Sequence, residues 1–268
     1  MPMRDTMTIS GLPVEVMTYG AGKPLLYLHG GEGPDVPTDR HLREVARSFR
    51  VIAPWHPGFG RLERPKDLRE VSDLVYLYLE LVRALALHDA VLFGSSFGGW
   101  IACEMAIRDH SAFSHLVLAG PLGIKVRDRE ARDIADVFAM DDAGFGELAF
   151  ADPTKAKRDL DTLDDQDLAA HFRAHESLAL YAWRPYMHNP RLKRWLHRIR
   201  LPTLLLAGRQ DRVVFDGYYQ AFSGLIPGSR VVEVDAAGHF PLIEQPEEVA
   251  RMIQRFCGNA APAATDAG

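Results

Sequence analysis

A serine flanked by glycines is the first candidate for chemistry in this 268-residue chain. Residues 91–99 read VLFGSSFGG and place Gly94, Ser96 and Gly98 in a G-x-S-x-G pattern. An apolar, strand-like run precedes the pattern and an amphipathic, helix-like run follows it, which is the context of a nucleophile turn. We therefore predict that Ser96 is a nucleophile. Ser95 is the alternative, although the glycine spacing fits it less well.

A serine hydroxyl becomes a good nucleophile only when a base removes its proton. Among eleven histidines, His239 stands out because it lies in the segment DAAGHFP, between the last predicted strand and the last predicted helix. Open α/β sheets build their sites in such loops at the carboxyl ends of strands. We predict His239 as the base, and we expect His29 to be a buried residue that shapes its own loop.

The base needs a carboxylate that fixes its tautomer and stabilises its charged form. Asp211 lies in the segment LAGRQDRVV, just after the buried run TLLLA, and is the predicted acid. Asp216 and Asp235 are the alternatives. Asp235 precedes His239 so closely that we expect it to cap that loop.

Acyl transfer also needs hydrogen-bond donors aimed at the oxyanion. The residue after the nucleophile supplies one donor, so we assign the backbone N–H of Phe97 to this role. The second donor is expected in the glycine loop HGGEGP, which follows the first predicted parallel strand. There we assign the backbone N–H of Gly31.

Short apolar runs alternate with amphipathic stretches, which is typical of a parallel sheet covered by helices. The predicted strands are Pro24–Leu28, Arg50–Ala53, Ala90–Phe93, His115–Ala119, Thr203–Ala207 and Arg230–Val234, preceded by a hairpin over Met7–Tyr19 that turns at Ser10–Gly11. The predicted helices are Thr38–Phe49, Ser72–Ala86 with Ser72 as N-cap, Phe97–Asp109 and Pro246–Phe256. The fold class is therefore α/β, with a mostly parallel sheet.

The alternation stops between Pro121 and about Arg200, where helix formers and charges replace strand patterns. We predict a helical insertion over residues 121–199 that acts as a lid. Residues 1–120 and 200–258 then form the core. The Ala/Pro-rich tail, 259–268, has too little apolar surface to order itself.

Composition argues against several classes of protein. The net charge is −5 and no dense basic stripe occurs, so a nucleic-acid partner is not expected. We find no apolar run long enough to span a membrane and no secretory signal, so we expect a cytoplasmic protein without a membrane partner.

Neither C-x2-C nor H-E-x-x-H occurs, so we expect no metal. Cys103 and Cys257 are expected to be buried free thiols, with a disulfide as the alternative.

Taken together, the segments LLYLHGG, VIAPWHPGFGR, VLFGSSFGGWIA, LPTLLLAGRQDRVV and AAGHFPLIEQPEEV resemble those of the α/β-hydrolase superfamily, in its capped form. They run from about residue 24 to 256 in the expected order. The resemblance implies an eight-stranded type of sheet, a Ser96–His239–Asp211 triad, an oxyanion hole at Gly31 and Phe97, and no cofactor.

The helical insertion is expected to select a small-molecule substrate. Its apolar stripes suggest a mainly apolar pocket, to which we assign Phe138, Trp183 and Phe240. We therefore expect a small or medium carboxylic ester as substrate. Hydrolysis of a carbon–carbon bond in aromatic ring-fission products is the alternative. The resembling enzymes of that kind usually carry Asn and Trp at the positions of Ser95 and Phe240, which counts against it.

Other activities of the same fold use different residues. Epoxide hydrolases and haloalkane dehalogenases place Asp at the nucleophile position, so Ser96 argues against both. Lactonase, perhydrolase and amidase activities stay open. A non-catalytic ligand receptor is the alternative from another class, although it would not need the triad. The sequence leaves the oligomeric state open between a monomer and a homodimer.

Overall fold

Eight strands form one sheet in the computed structural model, which describes residues 2–34, 38–156 and 160–258. The strands are β1 (Met3–Ile9), β2 (Leu12–Tyr19), β3 (Pro24–Leu28), β4 (Arg50–Pro54), β5 (Ala90–Ser95), β6 (Phe113–Ala119), β7 (Thr203–Gly208) and β8 (Arg230–Val234). Their order across the sheet is β1-β2-β4-β3-β5-β6-β7-β8. From β4 to β8 all neighbours are parallel, whereas β1, β2 and β4 pair antiparallel.

The predicted fold class is confirmed. All six predicted parallel strands are present, and the predicted hairpin forms the antiparallel edge. Ser10 and Gly11 turn that hairpin with positive φ angles of 50° and 82°, as a tight two-residue connection requires. The predicted disordered tail, residues 259–268, lies outside the described residues.

Nine α-helices accompany the sheet within the described residues. They are α1 (Arg40–Val45), α2 (Val71–Ala84), α3 (Phe97–Arg108), α4 (Asp142–Ala149), α5 (Asp165–Ala182), α6 (Leu192–Trp195), α7 (Tyr218–Ser223), α8 (Pro241–Glu244) and α9 (Pro246–Gly258). Short 3₁₀ turns occur at Val137–Ala139, Pro153–Ala156, Leu160–Thr162 and Leu196–Arg198. None of the helices described is long and apolar enough to cross a membrane.

Two helix predictions were wrong at their ends. Helix α1 is shorter than the predicted Thr38–Phe49. Helix α2 has Glu70, not Ser72, as its N-cap. The carboxylate of Asp73 accepts the backbone N–H of Glu70 at 2.8 Å, so the helix starts one residue before Ser72.

The sheet separates two apolar cores because side chains alternate along each strand. On one side, Leu26 and Leu28 pack in the cluster that contains α2 and α3. On the other side, Leu25 and Tyr27 pack in the cluster that contains α1 and α9. Cys103 in α3 is buried and Cys257 in α9 is partly buried, and neither forms a disulfide. Strand β5 is buried along its whole length, as a central strand with helices on both faces must be.

Helices α4, α5 and α6 all lie between β6 and β7, and no strand of the sheet occurs among the described residues of that stretch. This agrees with the helical character predicted for the insertion. Its boundaries at residues 121 and 199, and its role as a lid, stay predictions.

The turn from β5 into α3 depends on two close backbone contacts. A Cβ atom on Gly94 would lie 2.4 Å from the carbonyl oxygen of Gly98, and one on Gly98 would lie 2.0 Å from that of Leu28. Both of these oxygens belong to the backbone, so the clash could not be relieved by rotating a side chain. Glycine at both positions therefore lets α3 cross directly over the end of β3.

We expect Gly98→Ala to destabilise the protein by about 3 kcal/mol or more, because the new methyl group must push two elements apart. For a chain of this size, that corresponds to a fall in melting temperature of roughly 6–12 °C. Thermal melting followed by circular dichroism measures it. Gly224→Ala is the control, because its added Cβ would meet nothing closer than 3.4 Å. Equal melting temperatures for the two variants would contradict this account of the turn.

Candidate active site

Three side chains from separate loops form a hydrogen-bonded chain at the carboxyl ends of the strands. The Ser96 hydroxyl donates to Nε2 of His239 at 2.9 Å. Nδ1–H of His239 donates to Oδ2 of Asp211 at 2.8 Å. The side chains of His239 and Asp211 are 1% and 2% exposed, so water hardly competes for these bonds. The network fixes the tautomer, with the proton on Nδ1 and the basic nitrogen facing the serine.

The predicted serine, histidine and aspartate are thus in the expected spatial order. The alternative acids are elsewhere: Asp216 is exposed, and Asp235 pairs with Arg209 at 3.0 Å on the surface. The expectation that Asp235 caps its own loop is wrong in this respect, since its carboxylate faces the neighbouring arginine.

Ser96 occupies a strained backbone conformation, with φ 50° and ψ −116°, immediately before α3. Such conformations cost on the order of 1–3 kcal/mol and need surrounding contacts to hold them. Its N–H donates to the carbonyl of Ala119 at 2.8 Å, and its carbonyl accepts from Leu122 at 3.1 Å. These bonds tie the serine to the end of β6 and present its hydroxyl to the cavity.

Asp211 receives two further hydrogen bonds that hold its carboxylate. The N–H of Val213 donates to Oδ1 at 2.8 Å, and the phenol of Tyr219 donates to Oδ2. Burial raises the pKa of Tyr219 well above its usual value, and the charge of Asp211 adds to the effect, so the phenol stays protonated. Tyr219 was not predicted from the sequence, because no local pattern marks a residue that acts through another side chain.

The loops that carry the histidine and the aspartate are both bonded to the end of α4. The N–H of His239 donates to the carbonyl of Ala149 at 2.6 Å, and that of Arg212 donates to Leu148 at 3.3 Å. These carbonyls are left free by the ending helix. The insertion therefore contacts the base and the acid loop directly.

Glu244, also missed from the sequence, reinforces this junction. Its buried carboxylate accepts three backbone N–H groups, from Gly238 at 2.6 Å, Ala151 at 3.2 Å and Asp152 at 3.0 Å. The first lies in the histidine loop and the other two follow α4. One carboxylate thus joins both segments.

The predicted oxyanion loop is supported by two buried histidines. Nδ1–H of His29 donates to the carbonyl of Gly30 at 2.6 Å, and its Nε2 accepts from the backbone of His56 at 2.9 Å. Nε2–H of His56 returns a bond to the carbonyl of His29 at 2.9 Å. Burial lowers the pKa of His29 well below its usual value and that of His56 to about 3. His29 thus shapes the loop as expected.

The two predicted oxyanion donors belong to residues that line the same cavity as Ser96 and His239, namely Gly31 and Phe97. Phe97 is the first residue of α3, where N–H groups are free of helical partners. The N–H of Gly30 is already bonded to Oε1 of Glu32 at 3.1 Å, which leaves Gly31 as the candidate in this loop.

Glu32 brings an unexpected carboxyl group close to the nucleophile. A Cβ atom on Gly30 would lie 2.3 Å from Oε2 of Glu32 and 2.9 Å from Cβ of Ser96, so the two side chains flank that glycine. Oε2 is buried without a hydrogen-bond partner. Burial raises the pKa of Glu32 to about 8, so the group is neutral at pH 7. The sequence shows the glutamate but gives no sign of its direction.

A cavity of about 670 Å³ lies over these groups, between the sheet and the insertion. Phe138 and Phe240 line it, as predicted, together with Phe59, Leu178 and other mainly apolar side chains. Trp183 is not among the lining residues and is 55% exposed. It directly follows α5, five positions beyond Leu178 and so about 140° further around the helix axis, and its ring centroid lies 5.6 Å from that of Phe138. That pocket assignment was wrong.

We expect Tyr219→Phe to lower kcat by roughly ten- to a hundredfold, since a hydrogen bond to a buried charge contributes about 1.5–3 kcal/mol. Steady-state kinetics measure the effect. Tyr218→Phe is the matched control: its hydroxyl donates to the carbonyl of Ile124 at 3.2 Å, away from Asp211, and kcat should stay nearly unchanged. Equal losses in both variants would contradict a positioning role for Tyr219.

Ionisation of Glu32 should reduce activity above about pH 8. The negative charge on its carboxylate would then repel the negative charge that develops on the oxyanion. We expect kcat/KM to fall there in the wild type and to stay level in Glu32→Gln. The pKa of Glu32 in the folded protein lies above its ordinary value of 4.5. Its contribution to the free energy of unfolding is therefore complete below pH 4.5 and is lost as the pH rises to 8.

Thermal melting from pH 4 to 9 provides a second measurement of the same group. The difference in melting temperature between wild type and Glu32→Gln should fall as the pH rises. Superimposable pH profiles of both rate and melting temperature would contradict the raised pKa.

The comparisons with known proteins agree with this geometry. A family model described as alpha/beta hydrolase fold matches residues 23–246. The 2-hydroxymuconate semialdehyde hydrolase of Pseudomonas sp. (strain CF600) is 30% identical over 269 residues, which cover 85% of this chain and 93% of the relative.

Two solved structures illustrate the range of activities on this fold. The 2-hydroxy-6-oxo-6-phenylhexa-2,4-dienoate hydrolase from Rhodococcus sp. strain RHA1 has a TM-score of 0.78 at 19% identity, with 96% of this chain and 98% of that chain covered. An esterase from Rhodococcus sp. ECU1013 has a TM-score of 0.77 at 20% identity, with 97% and 99% covered. At these identities the likeness concerns the fold alone. The family match over most of the chain does more: this protein belongs to the α/β-fold hydrolases.

Proposed function

We propose that this protein cleaves a carbon–carbon bond in a 2-hydroxy-6-oxo-dienoic acid, with Ser96, His239 and Asp211 as its catalytic residues. The observation that carries the proposal is the 30% identity to 2-hydroxymuconate semialdehyde hydrolase over most of both chains. This reverses the order of the sequence expectation, in which an ester came first and this substrate class was the alternative. The catalytic chemistry is shared by both.

The first half of the reaction is attack on a ketone. The substrate in its keto form is a vinylogous diketone, and Ser96 Oγ adds to the 6-oxo carbon while Nε2 of His239 takes the hydroxyl proton. Asp211 stabilises the imidazolium through Nδ1–H. The oxygen of the former ketone becomes an oxyanion at the N–H groups of Gly31 and Phe97.

The second half breaks the bond and releases the acyl group. The carbon–carbon electron pair leaves as a dienolate, which is conjugated with the distant 2-oxo group and takes a proton from His239. Water, activated by the same histidine, then hydrolyses the acyl-Ser96 ester. The products are a carboxylic acid and a shorter 2-hydroxy-dienoate. Because conjugation stabilises the leaving carbanion, no further group is needed to make this step feasible.

The size of the cavity and the neutral state of Glu32 both support such a substrate. A volume of about 670 Å³ is in the range of small-molecule sites. Its largely apolar lining suits a conjugated chain. The dienoate is an anion, and Glu32 stays neutral below about pH 8, so it does not repel the substrate at pH 7.

Ester hydrolysis is the second candidate function, and two residues favour it. Ser95 ends β5 next to the nucleophile, and Phe240 lies against the base with ring centroids 5.0 Å apart. The resembling carbon–carbon hydrolases usually carry Asn and Trp at these positions. Phe240 removes a polar N–H from the cavity wall, which suits an apolar ester.

The test compares 6-phenyl and 6-methyl 2-hydroxy-6-oxo-dienoic acids with p-nitrophenyl acetate, butyrate and octanoate. We expect kcat/KM for the best dienoic acid to exceed that for the best ester by at least about 100-fold, a difference of roughly 2.7 kcal/mol in transition-state stabilisation. A preference for the esters would overturn the proposed substrate and support the second candidate.

Ser96→Ala should reduce turnover of the best substrate by several orders of magnitude and leave the fold intact. Ser95→Ala is the matched control from the same turn and should retain most of the activity. Near-wild-type activity in Ser96→Ala would refute the mechanism for either substrate class. A burst of product followed by almost no turnover in the wild type would support the receptor alternative.

A further inference from the structure

Two histidines and an aspartate lie together on the wall of the cavity, away from the triad. His171 and His175 belong to α5, and Asp142 is the first residue of α4. One potential ligand atom from each residue lies within 4.8 Å of the other two. Nε2 of His171 is 3.5 Å from Oδ2 of Asp142, and the two imidazole centroids are 4.9 Å apart.

The positions of these residues follow from helix geometry. His171 and His175 are four residues apart, so their rings project from the same face of α5. Asp142 approaches that face from a different helix. All three line the cavity that contains Ser96. The group matches neither a C-x2-C nor an H-E-x-x-H pattern, and its third member comes from another element.

We propose that Asp142, His171 and His175 bind one divalent transition-metal ion, with Zn²⁺ as the best match. Two imidazoles and a carboxylate are ligands that Zn²⁺ accepts, at bond lengths of about 2.0–2.2 Å. Ligand atoms around a tetrahedral ion are then about 3.4 Å apart. The observed group must therefore close by about an ångström, and the 64% exposed side chain of Asp142 is free to turn. The proposal departs from the sequence expectation of no metal.

A bound ion would have a structural consequence. Three protein ligands leave a fourth position for water or for an oxygen of a small molecule in the cavity. The ion would also join α4 to α5. Because the carbonyls at the end of α4 hold the loops of His239 and Arg212, it would fix α5 to the part of the insertion that contacts the triad. The proposed metal site does not depend on which bond the enzyme cleaves.

Calorimetric titration of the tag-free, full-length protein with ZnCl₂ tests the proposal. We expect one Zn²⁺ ion per chain and a rise in melting temperature when it binds. His175→Ala and Asp142→Asn should each weaken binding roughly tenfold or more, since each removes one ligand. His110→Ala, which removes an exposed histidine elsewhere on the surface, should leave binding unchanged.

Cobalt provides a spectroscopic readout that is independent of stability. Co²⁺ titration should produce visible absorption bands of a low-coordinate site in the wild type and not in His175→Ala. Since His175 is exposed, its replacement should not unfold the chain. Absence of stoichiometric Zn²⁺ binding, or equal binding in the wild type and in both ligand variants, would overturn the proposal whatever the substrate tests show.

Discussion

The close crossing of α3 over the end of β3 is the constraint on which the site depends. Gly98 meets the carbonyl of Leu28 where no side chain would fit. This contact brings the N-terminus of α3, with the N–H of Phe97, against the loop of Gly31. Ser96 stands immediately before α3 with a positive φ of 50° and lines the cavity. The predicted nucleophile, Ser96, and one predicted oxyanion donor, Phe97, therefore both lie at this crossing.

The loops that carry His239 and Asp211 are held in place by hydrogen bonds rather than by close packing. The base loop is bonded to the carbonyl of Ala149 and to Glu244. Helix α4 is thus part of the scaffold of the triad, although it lies in the insertion. On the opposite wall, Ser177 of α5 donates to the carbonyl of Gly58 at 3.1 Å. Helices α4 and α5 are therefore each bonded to loops that follow strands of the sheet.

The sequence predicted the structure correctly wherever the pattern lay within a short segment of the chain. Buried runs such as TLLLA predicted the strands, and the glycine spacing around Ser96 predicted the turn. Asp211 and His239 could be found because sheet topology brings strand ends together. The direction of individual side chains could not be predicted from the sequence. Trp183 points toward solvent, and Glu32 folds back toward Ser96. Tyr219 and Glu244 act through residues distant in the chain, and only the folded geometry reveals such partners.

The paired imidazoles beneath the oxyanion loop have a consequence for acidic solutions. With their pKa values far below neutrality, His29 and His56 gain no charge in moderately acidic buffers. Each ring keeps one hydrogen-bond donor and one acceptor. The hydrogen bonds that shape the loop after β3 therefore keep their direction. The loop that carries Gly31 would therefore keep its shape through mild acidification and would need no refolding when the acid is removed.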